Sequence, residues 1–138
     1  GYALQNSSSS PVDDFSVWGS PGVGTTDASD LHMLPDHMFS TTAGNDWIAR
    51  SGYYGGTVGG GGTTGFDSDF TALSTASHDA NGAHGHLAGN SGHSGYIPSE
   101  DPNDTKHPPR MSTSVHNQGR ILRGAGPEYV DDYSINTN

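Results

Sequence analysis

Eight histidines stand among 138 residues, and four of them, His78, His84, His86 and His93, fall in one short stretch. In an extended segment alternate side chains share a face about 6 to 7 Å apart, so His84 and His86, separated by Gly85, are placed to share one transition-metal ion. Asp79 offers an oxygen ligand nearby. Two imidazoles from one chain make a weak site, whereas three chains about a threefold axis would present enough nitrogens for an octahedral ion.

This H-x-H pair resembles the ion sites of trimeric bacteriophage tail fibres and spikes, over those three residues alone. The long repetitive β-structure of those proteins is not visible in this sequence, and no family is assigned. No other cofactor is expected.

Other chemistry finds less support. His78 adjoins Asp79 and serines are numerous, yet the chain contains no G-x-S-x-G nucleophile elbow. A triad also needs a scaffold that holds its groups within about 0.5 Å of productive geometry, and the surrounding sequence is loop-like. No catalytic residue is therefore assigned, and the chain is not expected to be an enzyme. The run Gly60-Gly61-Gly62-Thr63-Thr64-Gly65 matches G-x-G-x-x-G, but no buried strand precedes it, as a dinucleotide site requires. The carboxylate pairs Asp13 with Asp14, Asp67 with Asp69, and Asp131 with Asp132 lack the spacing of a calcium loop.

The elements available to position such groups are short. Phe15 to Trp18, Trp47 to Tyr54 and Arg120 to Arg123 are strand-like, each bounded by Gly, Pro, Ser or Asn. Between Ser29 and Phe39, Leu31, Leu34 and Met38 fall at helical spacing, with Pro35 breaking the run and suited to a helix start. From Asp67 to Ser77, the spacing of Phe66, Phe70 and Leu73 predicts a second short helix capped by Asp67. Tracts rich in Ser, Gly, Thr and Pro separate these pieces.

Leu, Ile, Val and Phe together supply only 20 of the 138 residues, and the net charge is −10. That combination lies in the range of chains that cannot bury enough apolar surface to order themselves. The fold expected is a mostly irregular, extended chain with a few short strands and one or two short helices, little core of its own, and order supplied by partners. Scattered aromatics, Trp18, Trp47, Tyr53, Tyr54, Tyr129 and Tyr133, are the candidate anchors on those partners.

Charge divides this single unit, 1–138, into three. Residues 1–105 are acidic, residues 106–123 hold Lys106, Arg110, Arg120 and Arg123 without an acid, and residues 124–138 are acidic again. The basic stretch suits an acidic partner, the chain's own carboxylates ahead of a nucleic acid. There is no cysteine for a disulfide or a thiolate metal site, and no apolar run nears the roughly 18 residues of a membrane span.

These observations lead to a structural, non-catalytic component of a large assembly, a minor, cementing or peripheral virion protein laid over other subunits and copies of itself. Its place would be a virion or an extracellular assembly. The alternative is a secreted acidic matrix or fibre-forming protein that binds metal through residues 78–93.

Overall fold

Phe15–Trp18 (β1) forms a strand where its aromatic and β-branched residues predict one. It pairs in parallel with Met38–Thr41 (β2), Phe15 opposite Met38 and Trp18 opposite Thr41. That strand in turn pairs in parallel with Thr71–Leu73 (β3), Phe39 opposite Thr71. The computed structural model describes residues 2–25, 27–51, 69–80, 85–97 and 111–131. Within them lie a short first helix, Tyr2–Gln5 (α1), a two-stranded antiparallel sheet of His78–Asp79 (β4) and His86–Leu87 (β5), and a longer helix, Thr113–Ile121 (α2). The architecture is thus a few short helices and short strands in two small sheets, as the composition led one to expect.

Parallel strands require a crossover between them and are covered on both faces. β2, at the centre, is buried along its whole length. Because alternate side chains point to opposite faces, Met38 enters one cluster with Leu4, Ala28, Leu31 and Phe70. Phe39 enters another with Leu73 and Ile121. The first cluster is roofed by α1 and a 3-10 turn, Ala28–Leu31; the second lies under α2.

One expectation about local structure is refined and three are corrected. The helical spacing of Leu31, Leu34 and Met38 yields two separate 3-10 turns, Ala28–Leu31 and Pro35–His37, and Met38 begins β2. Pro35 holds Leu34 in the extended region (φ −73°, ψ 141°), which breaks the run and leaves Leu34 exposed. Phe70 and Leu73 do not share a helix face. They serve opposite faces of the sheet, with Thr71–Leu73 a strand.

Arg120 belongs to α2, and the chain beyond it turns at Gly124 (φ +68°) rather than extending as a strand. Most of the face that α2 buries is polar, Thr113, Ser114 and Asn117 beside Ile121, so no apolar stripe announces it. Ser112 caps the helix by accepting from Val115 N–H at 3.2 Å. In the segment from Trp47, the described residues form a 3-10 turn at Ala49–Ser51 instead of a strand.

The tail seals the far edge of the sheet. Ser74 N–H donates to Tyr129 O at 3.0 Å, and Asp131 N–H to Ala72 O at 2.9 Å. Among the described residues no strand pairs with the outer edge of β1.

Candidate active site

β1 and β2 end side by side, and the loops leaving their ends are drawn to one point. Gly19 N–H donates to Thr41 O at 2.9 Å, just past the last paired residues. After β2 the chain turns through Ala43 to Asp46, whose N–H donates to Ala43 O at 2.9 Å. The Asp46 side chain then caps the following turn, its Oδ1 accepting from Ile48 N–H at 3.1 Å and Ala49 N–H at 3.0 Å.

The loop 90–96 delivers two more groups to this carboxylate. Tyr96 donates its hydroxyl proton to Asp46 Oδ2 at 2.6 Å. His93 Nδ1 sits between both oxygens, 3.2 Å from Oδ1 and 3.1 Å from Oδ2. The loop is fastened on each side: Gly92 N–H donates to the Asn45 side chain, Asn90 Nδ2 donates to Gly95 O, and Ser112 Oγ donates to Tyr96 O at 3.1 Å.

Asp46 is fully buried (0% exposed), whereas the His93 side chain is 46% exposed. Burial alone raises the carboxyl pKa; hydrogen bonds from Tyr96, Ala49 N–H and His93, with the imidazole's charge, outweigh it and hold the carboxyl below its ordinary value. An ionised carboxylate is acceptor-only, so Nδ1 carries a proton, and in the neutral ring the lone pair is on Nε2. Among the described residues nothing hydrogen-bonds Nε2. The arrangement is a base with its proton fixed on the protein side and its reactive nitrogen directed away from the carboxylate.

Among the described residues three other histidines make carboxylate pairs: His37 with Asp14 at 2.9 Å, His86 with Asp79 at 2.8 Å, and His116 with Glu128 at 2.9 Å. None has a fully buried carboxylate. Asp79 bonds His86 rather than its neighbour His78, because adjacent residues of a strand face opposite ways. His78 Nε2 instead meets Ser74 Oγ at 3.0 Å, and its ring stacks on Tyr129 with centroids 4.3 Å apart. Ser74 is buried, and its hydroxyl accepts from Ala76 N–H at 3.3 Å as part of a turn.

The residues singled out in the sequence are dispersed. His86 is exposed on β5, and His84 lies outside the described residues. Among the described residues no three of His, Cys, Asp or Glu gather to hold a metal ion. Trp18 is half-buried, its Nε1 donating to Gln118 Oε1 at 3.0 Å, while Trp47 is exposed and Tyr129 packs under His78. Tyr53, Tyr54, Tyr133, Lys106 and Arg110 lie outside the described residues. Arg120 pairs with Glu128 at 3.5 Å and also donates to Gly126 O; Arg123 donates to Gly119 O.

Asp46, His93 and Tyr96 carry the geometry; the sequence placed His93 only within the candidate metal-binding stretch 78–93, and no motif gave any of the three a catalytic role. The one signal they left was order along the chain, an Asp followed at a distance by a His.

A family model described as Alpha/beta hydrolase matches residues 1–55. No curated protein and no solved structure matches the chain. Over the matched stretch, which carries β1, Gly19, β2 and Asp46, the chain is similar to hydrolases. That finding overturns two expectations, the non-catalytic virion component and the absence of an enzyme. Both rested on scarce core residues and a missing nucleophile motif, neither of which bears on an Asp–His pair assembled from distant loops.

Proposed function

We propose that this chain supplies the acid–base half of a hydrolytic site working by nucleophile, histidine and aspartate, on substrates with an acyl carbonyl. His93 Nε2 takes the proton of an attacking hydroxyl and passes it to the leaving group. Asp46 fixes the Nδ1–H tautomer and stabilises the imidazolium that forms. The observation that carries this is the fully buried Asp46 carboxylate holding the half-exposed His93. The match over residues 1–55 and the order Asp before His support it.

No G-x-S-x-G occurs in these 138 residues, and no described serine bonds His93. In this reading the nucleophile is a residue other than the described serines, carried by the same polypeptide or by an associated chain. A three-stranded parallel sheet whose β1 edge is unpaired among the described residues is suited to extension by further polypeptide. Partner-supplied order thus stays part of the reading, with the partner now the remainder of a hydrolase.

The full-length protein tests this. It should hydrolyse nitrophenyl acyl esters and take a fluorophosphonate label on one serine, and His93→Ala should lower both rates about a thousandfold or more. Mapping the label locates the nucleophile. Undiminished turnover in His93→Ala would remove the proposal.

A further inference from the structure

The Tyr96 phenol occupies a closed position. Its oxygen accepts from Ala43 N–H at 2.9 Å and donates to Asp46 Oδ2 at 2.6 Å, and the residue is only 5% exposed. The surrounding backbone is shaped to admit it. Gly19 stands at φ +53°, and a Cβ there would lie 2.8 Å from Tyr96 Cε2, 2.9 Å from Asp46 Oδ2 and 3.2 Å from His93 Nδ1. Only a glycine lets the end of β1 lie this close to all three groups. Trp18 closes the same side, its ring centroid 6.5 Å from that of Tyr96.

We infer that Tyr96 is a positioning residue which, through Asp46, sets both the orientation and the proton affinity of His93; this rests on the hydrolytic role proposed for the pair. Asp46 Oδ1 is held by two backbone N–H groups, and without the phenol Oδ2 would have only His93. Two anchored oxygens prevent rotation about the Cβ–Cγ bond and so hold the imidazole plane. The phenol O–H also draws charge from the carboxylate, which lessens its pull on the Nδ1 proton. Among the described residues, the titratable groups acting on Asp46 are His93 and Tyr96, and the one acting on Tyr96 is Asp46. Tyr96 contributes nothing to Nε2 directly. Its effect reaches the reacting atoms only through the carboxylate.

The test uses the full-length protein with Tyr96→Phe and, separately, with 3-fluorotyrosine at position 96. Removing the hydroxyl frees Oδ2, so the acid limb of kcat/KM and the His93 ring titration followed by NMR should both move up by about half a pH unit. The rate should fall about tenfold with KM unchanged. The fluorinated phenol is a stronger donor of the same shape, and should move both titrations down while keeping the fold. It therefore decides the matter even if Tyr96→Phe does not fold. An unmoved His93 titration in these proteins overturns the inference, and a rate loss without that shift makes Tyr96 a packing residue only. The NMR titration needs no turnover, so it separates failure here from failure of the hydrolytic reading, which His93→Ala decides.

Discussion

Asp46–His93 and Asp79–His86 are nearly equal in length, at 3.1 Å and 2.8 Å, yet they are different objects. Asp79 is 95% exposed and Asp46 0%. A solvated carboxylate can turn and exchange its partner for water, so an exposed ion pair contributes little. A buried one must be satisfied at each lone pair, and Asp46 is, by two backbone N–H groups, a phenol and an imidazole. Distance does not mark a functional pair here. What marks it is the number of groups committed to holding the carboxylate still.

The largest expected effect separates the two pairs directly. In the full-length protein Asp46→Asn should lower kcat for ester hydrolysis about 10³- to 10⁴-fold by permitting the wrong imidazole tautomer, while Asp79→Asn should leave it within about twofold. Equal losses in parallel kinetic assays would abolish the distinction. Next comes Gly19→Ala. Its new methyl meets the Tyr96 ring and the Asp46 carboxylate at a backbone angle that alanine rarely adopts, so it should cost about 1–3 kcal/mol of stability. Thermal melts would show it, together with reduced turnover.

The buried pair should also show in acid. Asp46 has a folded pKa below its ordinary value of 3.8. The stability this contributes is complete above that value and is lost as pH falls through the lower folded one. Urea midpoints for wild type and Asp46→Asn should therefore converge as pH drops below about 4. A constant gap for Asp46→Asn would mean that the carboxylate is not held as described. The smallest effect concerns the support behind the site. Ser112→Ala removes the cap of α2 and the hydrogen bond to Tyr96 O, at about 1 kcal/mol, read from the same denaturation curves.

Some of this was legible in the residues. β1 was, because Phe15, Val17 and Trp18 are strong strand formers between breakers, and Pro35 was correctly placed at a helical start. α2 was not, since Thr113, Ser114 and Asn117 make its buried face through hydrogen bonds: Thr113 Oγ1 to Ala76 O at 2.6 Å, Ser114 Oγ to Asn90 Oδ1 at 2.7 Å, and Asn117 with Tyr129 and Glu128. A search for apolar periodicity passes over such a helix. The histidine cluster drew attention to the right stretch and the wrong pair. His84 and His86 are close in sequence, whereas His93 finds its partner 47 residues away.

By itself the sequence determined a chain poor in core residues, built of short elements joined by glycine- and serine-rich tracts, and supplied with eight histidines. Those properties follow from side-chain volume, backbone freedom and composition, and they are local. Which histidine is held ready as a base was decided only by the tertiary structure. Parallel pairing of β1 with β2 brings Gly19 and Asp46 to the same end of the sheet, and the Asn45 and Ser112 contacts bring His93 and Tyr96 over them. Desolvating one carboxylate while satisfying it with four donors is a long-range act. No local pattern of residues encodes it.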